Sequence, residues 1–161
     1  AHGAISFNEN KKANINHDKC VGCGRCIGTC NFDAIENLEY SANDILNKKI
    51  AEYSKAVLSG REHFHISFVV NVSPNCDCHA ENDIPIIPNV GMLASFDPVA
   101  LDQAAADLCN AAPRIIHSHL EGKKNTGDVF HDAHEKSRWQ DTMEHGEKIG
   151  LGNRKYELIQ F

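Results

Sequence analysis

Four cysteines within eleven residues are the feature of this sequence that most clearly points to chemistry. They are Cys20, Cys23, Cys26 and Cys30, separated by two, two and three residues. This C-x2-C-x2-C-x3-C spacing is typical of loops that bind a cubane [4Fe–4S] cluster. Two intervening residues let the backbone curl around one corner of the cubane, so that three thiolates reach three iron atoms. We therefore expect Cys20, Cys23 and Cys26 to be ligands, whereas Cys30 can serve the same cluster or another one.

A second group of cysteines supplies further candidate ligands. Cys76 and Cys78 are separated by one residue, so on an extended segment their side chains share a face. The chain has seven cysteines, and two all-cysteine cubanes would need eight thiolates. Cys109 lies beside Leu108 on the apolar side of a predicted helix, which indicates a small buried hydrophobe. One cluster is favoured, and the alternative is a second cluster on Cys30, Cys76 and Cys78 completed by His79 or by a ligand from outside the chain.

A structural zinc site is the other interpretation of these cysteines. Zinc sites generally pair two C-x2-C knuckles across a longer gap, so three cysteines at successive x2 spacings fit a cubane better. The total of seven cysteines is odd and four of them lie within eleven residues, which argues against a disulfide framework and indicates a reducing, cytoplasmic location.

The composition bounds the remaining possibilities. The chain has 161 residues, of which 42% are hydrophobic and 24% charged, as in ordinary globular domains. Its net charge is -6, from 16 basic and 22 acidic residues, and this balance disfavours nucleic acid as a partner. No apolar stretch approaches the ~20 residues needed to cross a bilayer, so we expect no membrane association.

Hydrophobic periodicity predicts the elements that position the cysteines. Residues 43–59 predict a helix with one apolar face, and residues 63–72 predict a strand covered on both faces. Asp97 and Pro98 open another helix as its N-cap and first residue, and residues 131–149 predict a last helix. The apolar face of the first helix consists of Leu46, Ile50, Tyr53 and Val57.

These elements predict a mixed α/β (α+β) fold. We expect a ferredoxin-like cluster-binding loop module over residues 1–40, attached to an α/β body over residues 41–161 that supplies Cys76 and Cys78. The two parts can also form one integrated domain.

Several segments of the chain resemble a known family. The stretches CVGCGRCIGTCNFDAI, NVSPNCDC, IPNVGMLASFDPVALDQAAADLCN and EKIGLGNRKYEL are similar, in this order, to the C-terminal half of the iron–sulfur-centre proteins known as the domain of unknown function 362 family. Members usually carry a further α/β portion before the cysteine motif, so the resemblance implies the C-terminal part of a longer protein. The sequence departs from ferredoxin motifs at Asn31, where they usually have proline. The resemblance implies a fold and a cofactor, but no reaction.

Three functions follow as hypotheses. The first is electron transfer through the cluster, with another redox protein or the missing N-terminal half as partner. An acidic shell around a thiolate-bound cluster would favour a low reduction potential. The second is an iron–sulfur enzyme with its site between the Cys76 loop and the Asp97 helix. The third is a structural module clipped by zinc.

Overall fold

Two short antiparallel sheets and five helices make up the part of the chain that the structure describes. The structure is a computed structural model and describes residues 2–30, 34–35, 42–76 and 82–160. The chain divides into a first unit, Ala1–Glu36, and a second unit, Asn37–Phe161. The predicted mixed α/β class is confirmed. None of the described helices is both long enough and apolar enough to cross a membrane.

The first unit begins with a β-hairpin. Strand β1 (Ile5–Phe7) pairs antiparallel with strand β2 (Ala13–Ile15). Asn8 shapes the turn between them, because its side-chain oxygen accepts hydrogen bonds from the backbone amides of Asn10 at 3.0 Å and Lys12 at 2.9 Å. Asparagine is favoured in turns for this ability to hydrogen-bond nearby backbone. The cysteine loop follows the hairpin directly.

The second unit contains one strand pair and four helices among its described residues. Strand β3 pairs antiparallel with strand β4, and helix α3 contacts both strands. Helix α2 packs against helix α5. The elements are α2 (Ala42–Leu58), β3 (His65–Val69), β4 (Gly91–Ser95), α3 (Pro98–Ala111), α4 (Val129–Ala133) and α5 (Trp139–Lys148).

The core of the second unit lies where β3 and α3 meet the segment between β3 and β4 that carries Ile86 and Ile87. Ile86 and Ile87 are its most deeply buried large side chains, 2% and 0% exposed. Cys109 belongs to the same cluster at 3% exposure, so the prediction that it is a buried hydrophobe is confirmed. Burial also raises the pKa of the Cys109 thiol, because the thiolate would lose its hydration. This cysteine is a packing residue.

Helix α3 begins as the sequence predicts. The side chain of Asp97 accepts hydrogen bonds from the backbone amides of Val99 at 2.9 Å and Ala100 at 3.0 Å, and Pro98 occupies the first turn. These bonds satisfy amides that lack partners within the helix. The helix then buries one face, which includes Leu101.

Two predicted apolar faces are exposed to solvent in the part of the chain that the structure describes. The expectation that β3 is covered on both faces is wrong, because Phe64, Ile66 and Phe68 are 54%, 53% and 69% exposed. The face of α2 formed by Leu46, Ile50, Tyr53 and Val57 is likewise exposed. Helix α2 instead buries Ala51 and contacts α5. The periodicity correctly grouped these residues by face, but a different face of each element packs within the chain.

The predicted last helix is two helices. The region 131–149 is interrupted between α4 and α5, because His134 leaves the helical conformation with φ -138° and ψ 104°. Asp128 links the two helices. It caps α4 through the amides of Phe130 and His131, and it accepts a hydrogen bond from Trp139 Nε1 at 2.9 Å. The long-range bond from Trp139 favours a break in the helix that periodicity does not reveal.

Candidate metal centre

The cysteine loop takes its shape from two glycines and one helical turn. Gly22 and Gly24 have φ values of 68° and 70°, in the left-handed region where residues with a Cβ are strained. The loop then enters helix α1 (Arg25–Gly28), and the Thr29 hydroxyl donates a hydrogen bond to the carbonyl of Arg25. Glycine is required at these two positions by the backbone conformation and not by lack of space, since a Cβ at either position would meet no atom within 4 Å.

This loop brings Cys20, Cys23, Cys26 and Cys30 to one cavity. The cavity has a volume of about 400 Å³, and all of its described lining residues belong to the first unit. Cys20 and Cys23 are exposed, while Cys26 and Cys30 are partly buried. The other lining residues are mostly apolar or small: His2, Ala4, Ile5, Ile15, Val21, Gly24, Arg25, Thr29 and Ile35.

The hairpin contributes a wall of this cavity that the sequence did not reveal. Ile5 and Ile15 are direct cross-strand partners, and both line the cavity. In the sequence, residues 1–19 carry only a weak strand signal, the alternation of Ala13 and Ile15 with polar neighbours. The signal that could have found the hairpin is the pair of short apolar-polar alternations on either side of the polar turn after Phe7.

The donor set fits an iron–sulfur cluster. Thiolates are the ligands that such clusters use, and a cubane binds each thiolate through a different iron atom. The thiolate ligands of a cubane therefore stand further apart than those of one tetrahedral zinc ion. The zinc ion lies about 2.3 Å from each of its sulfur ligands. Among the described residues, no group of three or more His, Cys, Asp or Glu side chains is arranged to hold a single metal ion. The arrangement is a cavity lined by four thiols.

Basic side chains contribute to the described lining of the cavity. Arg25 and His2 line the cavity, and no carboxylate is among its described lining residues. Residues 1–36 carry four basic and four acidic residues, so the net charge of -6 belongs entirely to residues 37–161. The expectation of an acidic shell stays a prediction, because the net charge describes the chain as a whole and not the surroundings of the cavity. Sequence reasoning also missed Arg25 as a lining residue, although it lies between two cysteines of the motif.

The second pair of cysteine candidates lies in the second unit. Cys76 is exposed, and Cys78 falls outside the described residues. The segment before Cys76 is held to Asn82, which receives a hydrogen bond from the amide of Asn75 at 3.2 Å and donates one to Ser73 Oγ at 3.1 Å. The role of Cys76 and Cys78 as ligands remains a prediction. The number of clusters, one or two, depends on that role and also remains a prediction.

A separate groove of about 560 Å³ lies in the second unit beside α2, β3 and α3. Asp102 of α3 lines it, and burial raises the pKa of this carboxyl although nearby His65 acts in the opposite direction. The sequence predicts an enzyme site between the Cys76 loop and the Asp97 helix, whereas none of the described residues that line this groove comes from the Cys76 loop. Its lining residues are Tyr53, Ser54, Val57, Leu58, His65, Ile66, Ser67, Pro98, Leu101 and Asp102.

Comparison with known proteins identifies the family. No curated protein and no solved structure matches the chain. A sequence profile of the family described as Domain of unknown function (DUF362) matches residues 3–107. The match includes the hairpin, the cysteine loop, Cys76 and most of α3, while the similarity noted for residues 147–158 lies beyond it. Because the matched segment covers more than half of the 161 residues, the chain belongs to the DUF362 family.

Proposed function

We propose that this chain is an iron–sulfur protein that transfers electrons through a [4Fe–4S] cluster bound by its first unit. One observation carries the proposal. Four cysteines with ferredoxin spacing line the same cavity, which has a volume of about 400 Å³. Pockets that hold small ligands and cofactors typically measure roughly 300–1,000 Å³.

Each part of the first unit has a role in this proposal. When bound, the cluster supplies reversible one-electron chemistry. Cys20, Cys23 and Cys26 provide thiolates from the loop. Ile5 and Ile15 line one side of the cavity with apolar side chains, and solvent exposure is one of the properties that set cluster potentials.

Cys30 is our proposed fourth ligand. It lines the same cavity as the other three cysteines, so one cubane can be completed within the first unit. Under this proposal Cys76 and Cys78 are not needed for the favoured single cluster. A second cluster would then require them together with ligands other than cysteine. We also propose a cytoplasmic, reducing location and a redox protein, or a further portion of the protein, as electron partner.

Metal and sulfide analysis of protein purified without oxygen tests the cofactor. We expect about four iron and four sulfide per chain, the content of one cubane. Cys23→Ser should lose most of the iron, whereas Cys109→Ala should retain it, because Cys109 is buried in the core of the second unit. Zinc without iron would support the structural zinc alternative, and close to eight iron per chain would support two clusters.

Single substitutions identify the fourth ligand. Cys30→Ser should reduce the iron content or convert the cluster to a form with fewer irons, while Cys76→Ser and Cys78→Ser should leave it unchanged. The opposite pattern would assign the fourth ligand to the second unit and contradict our proposal.

Voltammetry tests electron transfer itself. A bound cluster with a reversible one-electron couple is expected, and a cluster without such a couple would contradict the proposed function. The enzyme alternative predicts instead that a small-molecule ligand changes the paramagnetic spectrum of the cluster, because an enzyme needs an iron site open to substrate.

A further inference from the structure

The most informative residue that the proposed function leaves unused is Arg25. It lines the cysteine cavity from the first position of α1, between Cys23 and Cys26. Its guanidinium makes no hydrogen bond or ion pair with any residue that the structure describes. Among the described residues that line the cavity, none carries a carboxylate. Arg25 is therefore a cation at the cavity without an anionic protein partner among the described residues.

We infer that Arg25 raises the reduction potential of the cluster by placing a permanent positive charge beside it. This inference rests on the proposed function and goes beyond it, because it assigns an electrostatic role to a residue that is not a ligand. A cubane with four thiolates is anionic, and reduction adds one electron and one further negative charge. A nearby cation stabilises the reduced form more than the oxidised form.

The chemistry of arginine suits this role. The guanidinium carries a delocalised positive charge on a planar group. Its five N–H groups can also donate to anionic sulfur, and hydrogen bonds to the sulfurs are a second property that sets cluster potentials. Both effects act in the same direction, towards a higher potential.

The experiment compares three variants after anaerobic cluster assembly. Arg25→Gln removes the charge, and Arg25→Lys keeps it. Lys19→Gln is the matched control, because Lys19 also adjoins a cysteine but is not among the residues lining the cavity. Iron and sulfide are counted first, and the reduction potential of each loaded protein is then measured by a redox titration that monitors the paramagnetic signal of the reduced cluster.

We expect Arg25→Gln to lower the equilibrium constant for reduction at least threefold, which is about 28 mV at 59 mV per tenfold change for one electron. Arg25→Lys should recover most of this shift, and Lys19→Gln should shift the potential less than Arg25→Gln does. No shift in Arg25→Gln, or an equal shift in Lys19→Gln, would overturn the inference.

A gain of charge keeps the inference testable if Arg25→Gln fails to assemble a cluster. Val21 lines the cavity and is 64% exposed, so Val21→Lys places a second cation there without emptying the core. We expect its potential to rise by at least the same factor, and an unchanged or lower potential would overturn the inference. Absence of any cluster in the unmodified protein would instead refute the proposed function.

Discussion

Asp97 provides the sharpest test of how the second unit is held together, because its two carboxylate oxygens have different partners. One oxygen caps α3 by accepting from the amides of Val99 and Ala100. The other accepts from the backbone amide of Asn153 at 2.8 Å and so fixes the C-terminal segment to the start of α3. Two substitutions at this position can separate the two roles.

Asp97→Asn should lose only the bond to the C-terminal segment. Asparagine caps helices about as well as aspartate, because its carbonyl oxygen accepts the same amides. Its NH2 group then faces the amide of Asn153, and two donors cannot bond. We expect a loss of about 1 kcal/mol in the free energy of unfolding, the typical net contribution of one hydrogen bond. Asp97→Ala loses the cap as well, which adds about 0.5–2 kcal/mol.

The assays are equilibrium urea unfolding, which gives the free energy of unfolding, and thermal unfolding, which gives Tm, both followed by the fluorescence of Trp139. It is the only tryptophan of the chain and lies in α5, so it reports on the second unit. For a chain of about this size, 1 kcal/mol corresponds to a shift of about 2–4 °C in Tm. We therefore expect Asp97→Asn to lower Tm by about 2–4 °C and Asp97→Ala by about 3–12 °C.

Asp102→Asn is the matched control on the same helix. Burial raises the pKa of Asp102 in the folded protein, so its ionised form is disfavoured there, and removing the charge at pH 7 should leave stability unchanged or slightly higher. Wild-type stability in Asp97→Asn would refute the role assigned to the bond with Asn153. An equal loss in Asp97→Asn and Asp97→Ala would refute the role assigned to the cap.

Three further outcomes follow from the packing and charges of the second unit. Gly152→Ala should unfold at lower urea concentration than wild type, because an added Cβ would lie 2.0 Å from Asp97 Oδ1. Ile87→Ala should cost about 2–5 kcal/mol because Ile87 is fully buried, whereas Phe68→Ser, at a position 69% exposed, should change stability by no more than about 0.5 kcal/mol. Asp132 has a lowered pKa, since bonds from Thr126 and the charge of Arg114 outweigh its burial. The stability that it contributes should therefore be present above its unfolded pKa of about 3.9 and lost as pH falls through the lower folded pKa, and Asp132→Asn should flatten this acid limb in urea titrations at pH 2–6.

Features decided by neighbouring residues could be predicted from the sequence. Asp97 and Pro98 start a helix because the cap and the first turn involve residues within three positions of each other. Cys109 is buried because it lies on the apolar side of that helix. In both cases the interacting residues lie close together along the chain, so the sequence pattern and the structure agree.

The open faces of α2 and β3 show where such patterns stop being sufficient. Periodicity states which residues share a face, but burial depends on which element covers that face. Phe64, Ile66 and Phe68 share the apolar face of β3, yet within the described chain they stay more than half exposed. The break at His134 has a similar origin, because the bond from Trp139 to Asp128 joins residues eleven positions apart.

The candidate site also has some features that the sequence predicts and others that only the fold reveals. The four cysteines of the motif follow one another within a single loop, and their spacing alone predicts that their thiols converge on one cavity. The apolar wall of that cavity comes from a strand pair in which Ile5 lies fifteen residues before Cys20, and only the register of the hairpin brings Ile5 opposite Ile15. Arg25 was overlooked for a different reason: by residue type an exposed arginine is expected to face solvent, and only the geometry of the cavity places it beside the thiols. Candidate ligands can thus be named from the sequence, whereas the surroundings that would tune a cluster, namely water access and nearby charge, depend on the fold.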